Sequence, residues 1–126
     1  MGSLSVLNAQ DTDVIGTWNI IEFTMTNGDN ENKMTEDQLN KNKSVWDLYL
    51  MRDGTLKQTS NMRTGEIETQ EGTWKVDNGN LILTLKFNER DITIEYGYEL
   101  TGDILTLKRG NPAGTMSIET KFRKKN

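Results

Sequence analysis

The chain has 126 residues, a net charge of −4 with a pI near 4.9, and 33% hydrophobic residues. This length accommodates one domain, and the acidic balance, with no basic stripe interleaved with aromatic residues, predicts that nucleic acid is not a partner. The sequence contains no Cys and no His, which excludes disulfides, thiolate nucleophiles, Ser-His-Asp triads and the most common transition-metal ligands.

The first 13 residues are predicted to be separate from the folded domain, which we place at 14–126. Residues 1–3, MGS, are typical of a cloning remnant, and residues 4–9, LSVLNA, resemble the end of a signal peptide with Ala9 at a suitable cleavage position. We therefore expect export to the periplasm or cell envelope. The alternative is a disordered native N-terminus. No stretch approaches the roughly 18 apolar residues of a membrane span, so no span is expected.

Beyond residue 13 the apolar residues alternate with a period of two, which is typical of half-buried β-strands. The clearest stretches are LILTLKF (81–87), ITIEYGYEL (92–100) and MSIETKF (116–122). Short connections with Gly, Asn or Asp separate them, as hairpins require. The pattern predicts eight strands, at 14–25, 44–52, 55–62, 66–76, 80–87, 92–100, 104–109 and 115–123.

The connection at 26–43 is longer than the others. Thr35 and Gln38 stand in the register of a capping box, and Met34 and Leu39 in that of a hydrophobic staple, so a short helix is predicted to begin at Thr35. Two alternatives follow for this segment. It either forms a lid over an opening or remains a solvated, mobile surface loop.

Eight strands in a meander leave two exposed edges unless the first strand pairs with the last. Closure removes both edges, so the predicted fold is all-β: an eight-stranded antiparallel up-and-down barrel with a short helix in the first loop. Such a barrel encloses space for side chains or for one small ligand. The alternative is an open sheet or sandwich that dimerises through its edges.

Five stretches carry a family resemblance: GTW (16–18), LYLMRDGTL (48–56), GTWKVDNGNLILTL (72–85), YELTGDILTLKR (98–109) and TKFRK (120–124). Their order and spacing over residues 14–123 resemble the small bacterial lipocalin-like domains. The resemblance implies that Trp18 floors the closed end of the barrel. It also implies that Arg123, after the last strand, packs across the Trp18 ring in a modest cation–π contact.

The meander predicts which turns lie at which end. If the first strand starts at the closed end, the turns at 52–54, 77–79 and 101–103 also lie there, and the 26–43 connection lies at the open end. Trp74 and Phe122 then fall beside Trp18. Strand parity also predicts one continuous inner face made of Trp74, Val76, Leu81 and Leu83.

The same parity predicts which side chains face inward in the open half of the barrel. They are Trp46, Ser60, Met62, Gln70, Phe87, Ile94, Tyr96 and Met116. Aromatic rings, pliable Met and a few hydrogen-bonding groups are typical of a pocket for an amphipathic small molecule. The alternative is that these side chains fill the interior completely.

Three functions are compatible with this pattern. The first is a non-enzymatic barrel that binds a small hydrophobic or amphipathic ligand, without a cofactor. The second is a protein-interaction module, an inhibitor or accessory subunit with a solid core and functional loops, whose protein partner the sequence does not identify. The third, an enzyme, requires a buried polar pair that the sequence does not offer, since Glu66 and Glu68 are expected to be solvated. No metal site is expected, because the acidic run at 27–32 lacks the spaced ligands of a calcium loop.

Overall fold

The structure is a computed structural model that describes residues 13–111 and 113–125. The predicted signal-peptide remnant at 4–9 lies outside the described residues. Within them the chain forms nine strands and one helix, α1 (Glu36–Lys41). The strands are β1 (Gly16–Asn27), β2 (Asn30–Met34), β3 (Trp46–Leu50), β4 (Thr55–Ser60), β5 (Glu68–Asp77), β6 (Asn80–Phe87), β7 (Arg90–Thr101), β8 (Ile104–Gly110) and β9 (Met116–Lys125).

Eight of these strands form a closed antiparallel barrel. The order around the barrel is β1, β3, β4, β5, β6, β7, β8 and β9, and β9 pairs with β1 from Thr17 opposite Lys125 to Asn27 opposite Met116. All eight predicted strands are present, with ends that shift by a few residues. The predicted barrel is therefore confirmed, and the alternative of an open sheet is wrong.

The long connection contains a ninth strand that was not predicted. β2 forms a hairpin with the second half of β1, with Met34 opposite Phe23, through a two-residue turn in which Gly28 has a φ of 62°. The backbone N–H of Gly28 donates to the Thr115 carbonyl at 2.9 Å, which holds this turn beside the β8–β9 loop at the open end. Alternation did not reveal β2 because its sequence, NENKM, is almost entirely polar and exposed.

Helix α1 begins where it was predicted to begin. The Gln38 backbone N–H donates to Thr35 Oγ1, and the Gln38 side chain accepts from the Thr35 backbone N–H at 2.9 Å, which completes the capping box. The helix packs against β1 and β2, and Leu39 is buried. An ion pair of 3.0 Å joins Glu36 to Arg123 on the outer face of β9. The helix therefore covers the outer wall, and neither the lid nor the mobile loop describes it.

A β-bulge in β1 changes which of its side chains face inward. Ile20 stands opposite Phe122, but Glu22 stands opposite Lys121, so Ile21 is the extra residue. Trp18 and Ile20 face the interior before the bulge. Phe23, opposite the buried Thr120, faces the interior after it. A strict period of two from Trp18 would place Phe23 on the outside.

The closed half of the barrel is filled by one hydrophobic cluster. Trp18 and Phe122 are fully buried in it, and Trp74 is nearly so, which confirms the predicted floor aromatics. Val76 pairs with Leu81 and packs on this cluster, as predicted. The remaining fully or almost fully buried members are Val14, Leu48, Leu50, Leu56, Leu81, Leu83, Leu85, Leu105 and Leu107.

The two GTW motifs share two features. In each motif the Trp indole N–H donates to a backbone carbonyl: Trp18 to Val14 at 2.9 Å, and Trp74 to Met51 at 2.8 Å. In each motif the Gly allows a close approach that a side chain would block. A Cβ at Gly16, where φ is 144°, would lie 2.7 Å from Lys124 Cε, and one at Gly72 would lie 1.8 Å from the Thr84 backbone oxygen.

The cation over the floor is Lys124, and the prediction that Arg123 packs there is wrong. Lys124 stands opposite Trp18 across the β1–β9 ladder, and its Nζ lies 5.6 Å from the Trp18 ring centroid. Residues directly opposite each other share a face of the sheet, so Arg123, opposite Asn19, points outward. The strand also continues to Lys125, which places Arg123 within β9 rather than after it.

Trp18→Ala is expected to lower the free energy of unfolding by about 3–5 kcal/mol, because it removes a fully buried ring and leaves a cavity. Tyr49→Ala is the control. Tyr49 lies on the neighbouring strand and is 48% exposed, so its loss should be less than half as large. Denaturant melts measure both, and equal losses would contradict a floor built on Trp18.

Gly72→Ala is expected to cost about 1–3 kcal/mol or more, because β5 and β6 must separate to admit the methyl group. Gly97→Ala is a matched control within a strand, where the nearest atom to the new Cβ would be the Lys108 backbone oxygen at 3.8 Å. That variant should be neutral or gain up to about 1 kcal/mol from reduced chain entropy. A Gly72 variant as stable as the parent would contradict the close approach of the two strands.

Candidate functional site

The open half of the barrel contains a cavity of about 330 Å³, here called the interior cavity. Its walls come from β1, β3, β4, β7, β8 and β9 and from the loop after β4, so they surround the lumen. The described residues that line it are Phe23, Trp46, Gln58, Ser60, Met62, Arg63, Tyr96, Arg109 and Ile118. The packed cluster therefore occupies the closed half, and a cavity that opens to solvent lies in the open half.

Trp46 forms part of the base of the interior cavity. Its ring meets the Phe122 ring edge to face, with centroids 5.2 Å apart and an interplanar angle of 82°. Because Phe122 belongs to the filled cluster, Trp46 marks the boundary between the packed half and the open half.

A hydrogen-bonded ladder of polar side chains extends from Trp46 along the wall. The Trp46 indole N–H donates to Gln58 Oε1 at 2.9 Å, and Gln58 Nε2 donates to Gln70 Oε1 at 3.1 Å. Both Gln side chains are buried, and every buried side-chain polar atom among the described residues has a partner. The ladder stabilises the orientation of Trp46 in a place where an unpaired amide would be costly.

The barrel wall is incomplete between β7 and β8 near the open end. Among the described residues the β7–β8 ladder ends at Gly97 opposite Lys108, so the first half of β7 has no strand partner on that side. A groove of about 610 Å³, here called the side groove, lies along this gap. Its lining residues are Arg63, Phe87, Asn88, Ile92, Thr93, Ile94, Glu95, Arg109 and Gly110.

Two arginines border both the interior cavity and the side groove. Arg63 forms an ion pair of 2.6 Å with Glu68, and its guanidinium carbon lies 5.5 Å from the Phe87 ring centroid. Arg109 has no carboxylate within 4.0 Å among the described residues. Arg109 therefore contributes a positive charge between the two spaces that no carboxylate of the described residues pairs with, although the whole chain carries −4.

Tyr96 is the titratable side chain buried in the cavity wall. Burial raises its pKa above the ordinary value of 10.0, and the nearby Arg109 guanidinium partly opposes this shift. Its hydroxyl is therefore protonated at neutral pH. It offers a hydrogen-bond donor and acceptor to the cavity, and it is unsuited to act as a base.

The eight predicted ligand-binding residues lie in connected parts of this region. Trp46, Ser60, Met62 and Tyr96 line the interior cavity, and Gln70 stands behind Gln58 in the polar ladder. The other three lie outside that cavity: Phe87 and Ile94 line the side groove, and Met116 lines a small pocket of about 90 Å³ beside Arg109. Whether any of them contacts a ligand stays a prediction.

Five lining residues of the interior cavity were not predicted. Phe23 was missed because the bulge reverses its facing. Arg109 and Ile118 follow the inward parity of β8 and β9, so alternation alone could have identified them. Gln58 could have been found in the same way, since it stands directly opposite Gln70. Arg63 lies in a loop, where alternation gives no signal.

Residues 13–111 and 113–125 contain no group of three or more acidic side chains placed to hold a metal ion. None of the helical segments in those ranges is long and apolar enough to cross a membrane.

Comparison with known proteins relates this chain to others by fold alone. No protein-family model and no curated protein sequence matches it. A lipocalin-like protein from Bacteroides uniformis superposes with a TM-score of 0.54 at 16% identity, over 90% of this chain and 99% of that one. An uncharacterized protein from Bacteroides eggerthii superposes with a TM-score of 0.53 at 15% identity, over 88% and 98% of the two chains. The fold is therefore lipocalin-like.

Gln58→Met is expected to cost about 1–3 kcal/mol, because the Trp46 indole N–H and Gln70 Oε1 both lose their partner. Gln70→Met alone leaves only Gln58 Nε2 unpaired. The double variant should lose less free energy of unfolding than the sum of the two single variants, since it removes both amides of one bond. Denaturant melts of all four proteins measure the coupling. Strictly additive losses would contradict the ladder.

Proposed function

We propose that this protein is a non-enzymatic barrel that binds a small apolar or amphipathic molecule in its interior. The observation that carries the proposal is the interior cavity, whose volume lies at the lower end of the range for small-molecule sites. Phe23, Trp46, Met62 and Ile118 give it apolar walls. A few convergent polar groups complete it, which is the composition of a ligand pocket.

The polar groups support binding more than catalysis. Gln58 and Gln70 do not titrate, and they already satisfy one another. Tyr96 holds its proton at neutral pH because burial raises its pKa. Arg63 lines the cavity, and the carboxylate beside it, Glu68, already forms an ion pair with its guanidinium. An acid–base reaction would therefore lack a group with a pKa near neutrality.

A protein-interaction module receives less support from the same observations. That function was expected to have a solid interior and an apolar patch around the 26–43 connection. The interior contains a cavity, and of the four exposed large hydrophobic residues among those described, one, Met116, pairs with this connection, opposite Asn27. The four are Tyr49, Ile67, Ile92 and Met116.

We further propose that the barrel works outside the cytoplasm, on the single ground that residues 4–9 resemble a signal-peptide end.

A neutral fluorescent probe, N-phenylnaphthylamine, is expected to bind the parent protein saturably, with a rise in its emission as it leaves water. Ile118→Trp should abolish this binding, because the larger side chain occupies the cavity that Ile118 lines. Fluorescence titration measures the affinity of each protein for the probe.

Ser117→Trp is the matched control for size and strand. Ser117 precedes Ile118 on β9 and is exposed, so its new ring lies on the outer face and probe binding should be unchanged. Melts of both variants establish that they are folded. Absence of saturable binding to the parent, or equal effects of the two substitutions, would overturn the proposal.

A further inference from the structure

We infer that the molecule bound in this barrel carries an anionic group, a carboxylate in the simplest case, that pairs with Arg109 while its apolar part occupies the interior cavity. This inference rests on the proposed function and specifies the chemistry of the ligand. Three features of the described residues support it: the charge of the lining, the absence of a carboxylate partner for Arg109 among the described residues, and the position of Arg109 in the wall.

The charge at the cavity is of one sign. Among the described residues that line it, Arg63 and Arg109 are the only charged ones, and no carboxylate is present. The side groove adds one carboxylate, Glu95, which accepts a hydrogen bond from Asn80 and forms no ion pair with Arg109. An acidic chain that concentrates two cations and no anion around its cavity provides an electrostatic preference for a negative ligand.

The two arginines differ in what already binds them. The Arg63 guanidinium is shared between the Glu68 carboxylate and the Phe87 ring, so its charge is largely compensated within the protein. The side chain of Arg109 has no such carboxylate in the described part of the chain. A guanidinium presents donors in a planar fork that matches a carboxylate in two parallel hydrogen bonds. Arg109 contacts the Tyr96 hydroxyl but is the lining arginine whose charge no carboxylate of the described residues compensates.

Arg109 lies where an amphipathic molecule would place its polar end. It borders the interior cavity, the side groove and the small pocket beside Met116, so it stands where these spaces meet. Inward from it are the apolar walls made by Phe23, Trp46 and Ile118. The Tyr96 hydroxyl lies close to Arg109, because the Arg109 guanidinium lowers the pKa of Tyr96 through its charge and a hydrogen bond. That hydroxyl supplies a neutral donor beside the cation.

Three ligands with the same ten-carbon chain and different head groups test the inference: decanoate, decanol and decylamine. Each competes with N-phenylnaphthylamine on the parent protein at neutral pH. Decanoate is expected to displace the probe at roughly one tenth of the decanol concentration, the ratio that one charge-assisted contact provides, and decylamine should be the weakest. This comparison needs no substitution, so it does not depend on the folding of any variant.

Two variants then assign the preference to one side chain. Arg109→Met, which keeps most of the apolar length, should reduce the advantage of decanoate over decanol to within about twofold. This ratio compares two ligands on the same variant, so a change in the affinity for the probe does not alter it. Arg63→Met is the matched control, and it should retain most of the preference because Glu68 already engages that guanidinium. Tyr96→Phe should lower the preference only in part.

The outcomes separate this inference from the proposed function. A parent protein that does not bind the probe saturably would overturn the proposed function and the inference together. A parent that binds the probe but shows no preference for decanoate would overturn the inference alone. The same holds if Arg109→Met keeps the full preference, or if Arg63→Met removes it instead.

Discussion

The pairing of β9 with β1 is the constraint on which the rest of the structure depends. A sheet of eight strands without this ladder would leave both terminal strands unpaired and the lumen open along its length. Ten residue pairs between β1 and β9, from Thr17 to Asn27 on β1, close the barrel and place Lys124 opposite Trp18 at the floor. The bulge at Ile21 lies within this ladder. The pairing that closes the barrel therefore also decides that Phe23 enters the cavity.

The barrel could be predicted because each strand has one buried and one exposed face. The alternation of apolar and polar residues therefore indicates which face each side chain is on. The family resemblance placed Trp18 at the floor, and the meander of the strands then placed Trp74 and Phe122 beside it. Where the backbone departs from strict pairing, the prediction fails. The bulge hid Phe23. Arg123 was assigned to the floor by the family resemblance, whereas the inward facing of Phe122 places Lys124 on the inner face. The polar strand β2 has no apolar face, so a period of two could not reveal it.

The candidate site was harder to predict than the fold because its parts are held by different kinds of element. Trp46, Ser60 and Tyr96 lie on strands and follow parity, whereas Arg63 comes from a loop whose position depends on Glu68 and Phe87. Composition gives a net negative charge and cannot indicate that positive charge collects at the lumen. The fold brings Arg109 of β8 and Arg63 of the loop after β4 to one cavity. The charge of the cavity lining therefore differs in sign from the net charge of the chain.

The incomplete ladder between β7 and β8 has a kinetic consequence. In a barrel with every strand paired along its full length, a molecule too large for the mouth can enter only after hydrogen bonds between strands break. The rate of entry is then limited by local unfolding. Here the first half of β7 has no such bonds to β8 among the described residues, so movement of this edge away from Gly110 breaks no ladder. For the ligand that we propose, entry along this edge would need movement of side chains and loops, whose timescale is nanoseconds to microseconds, and would break no β7–β8 hydrogen bond of the described residues.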